Sequence, residues 1–384
     1  MTVALAAPTR SGSKAFVQGT HRACSPDETW TQLRALLACA GITRVGDLTR
    51  LDSVGIPVAQ AVRPTSRTAA VTLGAALTPV HARVSAAMAS LELWHAEHVE
   101  APPSWSAVGA VRASLGYNPY DLPLRPLHLL NDGMVLDWVP ATLLRTGRPT
   151  MVPRACAEFD LTLREEWSPP VFAQSRAGLA AGNTHAEAVL HALFEVLAHD
   201  AVAAARALPP AERVQIDVDS VDSDEPRRLL DRLAASGVEV TVFDVTGTAG
   251  VAAFEVIAES VSPRIRARGA ACHLDRSVAL CRALAMAARE RMAQVSGARD
   301  DLPVVAPYRD PATVAGTVPT PRRRDYTDIP SRSTASFAGD VAEVSERIHR
   351  GGAGPALVVD LSRESVGLPV VRVIVAGLRQ QGEA

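Results

Sequence analysis

The sequence predicts an α+β fold of mixed α/β character, with strand pairs forming sheets and helices packed outside them. Three observations point there. The stretch "DLTRLDSVGIPVAQAV" (residues 47–62) returns as "DLSRESVGLPVVRVIV" (residues 360–375), with a looser copy, "DVTGTAGVAAFEVIAE" (residues 244–259), between them. Each copy follows an amphipathic helical stretch that stops at glycine: "WTQLRALLACAG", "EPRRLLDRLAASG" and "VAEVSERIHRGG". β-branched runs, clearest in "VEVTVFDV" and "ALVVDL", lead into the repeated Asp, and a second β run leaves the turn.

Each element has its own cause. Trp30, Leu33, Leu36 and Leu37 share one helix face, as do Leu229, Leu230 and Leu233, and again Val341, Val344 and Ile348. Asp with Thr or Ser closes a turn through side-chain oxygens, and Gly55 and Gly367 give it permissive backbone. Each unit therefore reads helix, strand, turn, strand. The competing reading is a turn motif reached three times independently. Either way the repeat specifies scaffold and names no chemistry.

At 384 residues the chain has room for one large domain or two ordinary ones, and one domain over 1–384 is expected. The connection at 303–336, rich in Pro, Arg, Thr and Ser, is expected to be a flexible lid or a disordered link. Hydrophobic residues make up 47% and charged residues 21%, the balance of a folded chain. A net charge of -2 gives no electrostatic footprint for nucleic acid. Arg322, Arg323 and Arg324 form the one basic cluster and are expected in a solvated loop. Five cysteines without a CxxC pair argue against a disulfide framework and for a reducing compartment. The N-terminus lacks the pattern of a signal peptide, and no apolar run of about eighteen residues suggests a membrane span. The expectation is a cytoplasmic protein with neither nucleic-acid nor membrane partner. Lys14 is the one lysine, so a phosphate-binding lysine is Lys14 or is absent.

Three helical stretches carry the polar residues of interest. In "GNTHAEAVLHALFEVLAHDA" (residues 182–201), Asn183, Glu187, His191, Glu195 and His199 recur at every fourth position, forming a slowly winding stripe on an apolar helix. Asn183 or Thr184 is its expected cap. The stripe is a site or simply a wet face. In residues 78–98, Ser85 and Glu92 share a face seven apart. There His95, Glu97 and His98 suggest zinc, but HxxH is not the i, i+4 spacing of a helical zinc pair, and a solvated helix end is expected. In residues 275–297, Arg282 and Arg289 share a face and Arg291 follows, which an ordinary basic face also explains.

Together these stretches resemble the YcaO family, whose members activate peptide backbone amides with ATP. The likeness runs through Lys14 and "GTHRACSPDETW", "GITRVGDLTRLDSVGIPVAQAVRP", "ARVSAAMASLELWHAE", "GLAAGNTHAEAVLHALFEVLAHDA", "RALAMAARERMAQVSGARDD" and the closing "DLSRESVGLPVVRVIVAG". It implies two helices, each with an ExxE pair whose carboxylates hold Mg2+ around the ATP phosphates. Hard oxygen ligands suit that ion, and residues three apart share a face. It also implies phosphorylation of an amide oxygen, linked to attack by a nucleophile on the carbonyl carbon, with the enzyme positioning groups and neutralising charge.

The chain departs from the pattern at several places. Ala89 and Ala198 stand where the second acid of each pair is expected, leaving Glu92 and Glu195 as the metal candidates. His199 stands for an arginine, Gly74-Ala75-Ala76 for Gly-Lys-Gly, Met286 for a glutamate and Arg289 for a glutamine. Asn183, Glu187, Asp200, Arg291 and Arg299 match. The resemblance thus assigns nucleotide binding to Lys14, Ser85, Glu92, Asn183, Glu187, Glu195, Arg289 and Arg291, and names no catalytic base. The site becomes more positive, so arginines are expected to replace part of the magnesium around the triphosphate. The implied activity is cyclodehydration of a ribosomal precursor peptide to a macroamidine or thiazoline, nearest to the stand-alone members of bottromycin-type pathways. From this sequence neither a leader-binding or E1-like domain nor a proline-rich tail is expected. A homodimer or a second YcaO-type partner is implied by likeness alone. The alternatives are a degenerate subunit that binds peptide or partner, and metal binding through His191, His199 or His95.

Overall fold

The three repeats close their turns with the same bonds in the computed structural model, which describes residues 12–162, 170–261, 264–297 and 321–379. Asp47 Oδ1 accepts the N–H of Thr49 at 2.8 Å, Asp244 Oδ1 that of Thr246 at 2.9 Å, and Asp360 Oδ1 that of Ser362 at 2.9 Å. The hydroxyl of the same Thr or Ser then accepts the N–H of Val58 (3.1 Å), Ala253 (3.3 Å) or Val370 (3.0 Å), so the outgoing strand is tied to the turn. A turn motif recurring by chance has no reason to repeat this second bond.

Each repeat sits in a different sheet. The first supplies α1 (Pro26–Leu33), β1 (Arg44–Asp47) and β2 (Val58–Val62), and β3 (Val71–Ala75) completes an antiparallel sheet ordered β1-β2-β3. After α2 (Pro79–Ala96) come β4 (Trp105–Ala107), α3 (Val108–Leu115), β5 (Val135–Leu143), β6 (Pro149–Pro153), α4 (Arg154–Ala157), β7 (Leu179–Ala181) and α5 (His185–Arg206). The second repeat follows β8 (Val214–Asp217). It comprises α6 (Asp224–Ala235), β9 (Glu239–Asp244) and β10 (Ala253–Val261), succeeded by β11 (Arg264–Cys272), α7 (Arg276–Ser296) and β12 (Arg322–Asp325). That sheet is ordered β11-β10-β9-β8-β12. The third repeat is α8 (Phe337–Arg350), β13 (Ala356–Asp360) and β14 (Val370–Val375), in a sheet ordered β4-β5-β13-β14-β7 with β6 also on β5.

Not every helix lies outside the sheets. α2 packs on β2 and β3 and reaches β7, α5 packs on β7 and β14 and reaches β10 and β11, and α7 packs on β10 and β11 and reaches β2 and β3. Three helices thus each bridge two sheets, and side chains of α5 and α7 meet between them. Close approach explains two glycines. A Cβ at Gly74 would sit 2.3 Å from the backbone N of Ala86 on α2, and one at Gly269 2.1 Å from the carbonyl of Ala283 on α7. Gly74 therefore serves packing.

Two expectations need correction. The basic run is not a solvated loop: Arg322–Asp325 is a strand pairing in parallel with β8, fixed where Arg324 Nη1 meets Asp244 Oδ2 at 2.7 Å. The end of the predicted flexible connection, 321–336, therefore carries regular structure, while 303–320 lies outside the described residues, as does Arg299. Among the described residues, one helix, His185–Arg206, is long and apolar enough to cross a membrane by length and composition. It is α5, with Glu187 and many apolar residues buried in the core.

Candidate active site

Thr184, not Asn183, caps α5, its hydroxyl accepting the N–H of Glu187 at 3.2 Å. Asn183 is thereby freed to reach across the chain. Its Oδ1 accepts the hydroxyl of Thr29 (2.9 Å) and its Nδ2 donates to both oxygens of Glu187 (3.2 and 3.3 Å). The buried Glu187 also accepts the N–H of Ala23 (3.0 Å) and pairs with Arg22 Nη1 (3.2 Å). These two residues anchor the segment before α1 to the first turn of α5, holding Arg22 beside the central helices.

Two turns along α5, Glu195 Oε1 lies 3.2 Å from Arg282 Nη2 of α7 and 3.4 Å from His191 Nε2. Arg282 Nη2 also contacts His191 Nε2. From α2, the buried Glu92 Oε1 accepts the N–H of Ala181 at the end of β7 (2.9 Å). Each bridging helix thus contributes a charged group: Glu92 from α2, Glu195 from α5, Arg282 from α7.

Electrostatics divide their roles. Burial pushes the Glu92 carboxyl up to about 7, with Glu195 adding to the shift and the Ala181 bond and the charges of Arg176 and Arg22 opposing it. Burial also acts to raise Glu195, but its bond to His191 and the charge of Arg282 outweigh this and hold it well below the usual carboxylate range. Burial, then Arg282, drives His191 down to about 4, and burial with Arg22 and Arg282 drives His81 to about 3. Near neutral pH the centre therefore holds one firm carboxylate, one carboxyl at its titration point, two guanidinium groups and neutral imidazoles.

The other expected residues sit apart from this cluster or serve packing. Lys14 Nζ bonds Asp340 Oδ2 and the Thr334 carbonyl, both at 2.6 Å, stapling the N-terminal segment to α8. The buried Arg291 grips both oxygens of Asp52 (2.7 and 3.1 Å) and the hydroxyl of Ser260 (2.6 Å), tying α7 to the first repeat's turn and to β10. Ser85 is half-buried on α2, two turns before Glu92. Arg289 is half-buried on α7, about 10 Å beyond Arg282 by helix rise.

The histidine-rich end of α2 is buried, contrary to the expected solvated end. Glu97 is gripped by Arg63 through two bonds of 2.6 Å, and His95 Nδ1 meets the Leu91 carbonyl at 2.8 Å. No group of three His, Cys, Asp or Glu side chains suited to a metal occurs among the described residues, so the readings through His95, His191 or His199 have no support there. Sequence reasoning passed over Arg22 and took Arg282 for a surface face. The available signal for Arg282 was a lone cation within the apolar run "VALCRALAMAA".

Mg2+ commonly takes one or two protein carboxylates and completes its shell with phosphate oxygens and water. Glu92 and Glu195, near enough to feel each other's charge, are the two acids of the centre available to one such ion. Arg22 and Arg282 fit the phosphates, since guanidinium pairs with them through a planar fork. The donor set does not fit a fuller cluster built from protein carboxylates.

The family model described as YcaO cyclodehydratase, ATP- and Mg2+-binding, matches residues 73–379. An uncharacterized protein of Mycobacterium tuberculosis is 39% identical over 374 residues, covering 94% of this chain and 83% of that protein. Among solved structures, YcaO from Methanopyrus kandleri bound with AMPPCP and Mg2+ matches with a TM-score of 0.76 at 23% identity, over 96% of this chain and 95% of that one. A heterocyclase in complex with substrate and cofactor matches with a TM-score of 0.77 at 19% identity, over 94% of this chain and 53% of that one.

Proposed function

This chain belongs to the YcaO family, and from that premise we propose that it uses ATP to activate a backbone amide of a ribosomally made peptide for ring closure to a macroamidine or azoline. The observation that carries the reading is that Arg282 pairs with Glu195 and that both are near enough to Glu92 to interact with its charge, the three coming from helices that each bridge two sheets. Bound ATP, with its magnesium, would supply the phosphoryl group that turns a poor oxide leaving group into phosphate. Glu92 and Glu195 would hold the ion. Arg22 and Arg282 would face the phosphates and supply positive charge in place of further metal. Asn183 and Glu187 fix Arg22, while Ser85 and Arg289, two turns along their helices from Glu92 and Arg282, contribute to the rest of the nucleotide site. Lys14 and Arg291 act through packing. Fixed cations in a site shielded from water stabilise developing charge without reorganising.

One observation favours a second reading. Ala89 and Ala198 leave a single acid of each expected ExxE pair, so a degenerate subunit that grips peptide or partner without turnover also fits. Calorimetry with AMPPCP and Mg2+, followed by phosphate release with candidate precursor peptides, separates the two. Nucleotide binding and peptide-dependent release support the enzyme. A folded chain that does neither overturns it.

A further inference from the structure

The strand pair β5–β13 stops short. Its register runs Leu357 to Leu143 and Val358 to Thr142 and then ends. Continued by two residues it would set Asp360 opposite Pro140, which has no N–H to give. Leu144 donates to the Ala356 carbonyl at 2.9 Å, so alternate β13 residues, Ala356, Val358 and Asp360, aim their backbone groups at β5. On the other side of the break, Trp138 donates to Ser104 at 2.9 Å. The strands splay around Pro140, leaving a cavity of about 660 Å³ floored by apolar residues such as Val189, Val341 and Val358 and rimmed by Thr142 and Asp360. That volume is of the size of known ligand pockets.

The internal repeat supplies a reference for what belongs there. Asp244 is the counterpart of Asp360 in the second repeat. Its strand is paired through to the Asp, with Val214 of β8 opposite, and the Arg324 guanidinium meets its carboxylate at 2.7 Å. Asp360 has neither feature: on the β5 side pairing ends two residues earlier, and its ion-pair contact is His185 at 3.9 Å, itself half exposed. Glu100, also on the rim, is matched by Arg363 at 3.0 Å.

We propose, building on the peptide-activating reading, that the cavity between β5 and β13 docks an extended segment of the peptide substrate. The segment adds as a strand beside Asp360 and presents an arginine or lysine to its carboxylate. Main-chain bonds to an open sheet edge supply affinity, and the apolar floor takes alternate side chains. α5 separates this groove from the amide-activating centre, so the docked segment is distinct from the reacting one.

The test uses the full chain and two pools of short synthetic peptides randomised over Val, Ile, Thr, Ala and Ser. One pool carries a central arginine and the other a central glutamate. Equilibrium dialysis measures binding, and amide exchange reports on the Asp360 N–H, which faces the open edge. The arginine pool should bind about tenfold more tightly, as one charge-assisted bond allows, and should protect that amide. Asp360→Asn keeps the turn cap but should erase the preference, and Thr142→Trp should block both pools. Equal binding of the two pools, or undiminished binding by Thr142→Trp, overturns the proposal. So does concentration-dependent self-association through this edge that neither pool competes away. Loss of ATP turnover with peptide binding intact would instead strike the amide-activating reading and leave the groove standing.

Discussion

Arg282 Nη2 lies 3.2 Å from Glu195 Oε1 and shares that carboxylate with His191, which places a cation of α7 against the acid that α5 keeps from its ExxE pair. Its position gives it two tasks, holding Glu195 ionised and facing phosphate. Arg282→Gln should therefore lower peptide-dependent ATP turnover by about 100-fold, the scale of losing one preorganised charge-stabilising donor. Arg282→Lys should rescue only part, because an ammonium lacks the planar fork. Single-turnover phosphate release checks both. Full activity in Arg282→Gln would remove the residue from the site.

Glu92 carries a cost that a purely structural carboxylate would not. Its folded pKa is raised to about 7, so the native state holds the proton more tightly than the unfolded chain does. Stability is therefore lost as pH rises from the unfolded value through the folded one, and the penalty is complete above about pH 7. Glu92→Gln keeps an acceptor for the Ala181 N–H and removes the charge. The variant should match the wild type near pH 4 and exceed it by about 3 kcal/mol at pH 8. Urea denaturation at the two pH values reads this out. The same variant should lose ATP turnover, a stability gain coupled to a functional loss.

The repeat and the helices were legible because their causes are local. Periodicity, caps and turn chemistry are written within a few residues of Asp47, Asp244 and Asp360, and those turns close as their residue types require. Glu92, Glu187 and Glu195 were legible as polar residues on apolar helices. Arg22 was not, because its place depends on Glu187, 165 residues away, and nothing near it in the chain announces that bond. The basic run at 322–324 misled for the same reason: its partner, Asp244, lies 80 residues back. Arg282 was visible as a cation in an apolar run, but only the packing of α7 against α5 turns that oddity into a contact.

Arg291 matches the family pattern, yet both of its amino nitrogens and its Nε are bound to Asp52 and Ser260. Arg291→Met should leave Asp52 without its cation and cost about 3–5 kcal/mol, the usual penalty for breaking a buried pair from one side. Replacing both partners, as Arg291→Met with Asp52→Leu, should recover most of that loss. Chemical denaturation of the two single variants and the double variant measures the coupling. An unstable double variant with a stable Arg291→Met chain would contradict the pairing.

Lys14 gives the sharpest separation between inherited expectation and geometry. Likeness assigns it to the nucleotide, whereas its ammonium is bound to Asp340 and the Thr334 carbonyl, with side chains 6% and 0% exposed for the ion pair. Lys14→Met removes the cation and strands a fully buried carboxylate at the start of α8. The expected result is a stability loss of about 3–5 kcal/mol. AMPPCP affinity should stay within about twofold of wild type at a temperature where the variant remains folded, because no phosphate-facing charge is lost. A Lys14→Met chain that melts like the wild type but no longer binds AMPPCP would return the lysine to the nucleotide and break the staple between the N-terminal segment and α8.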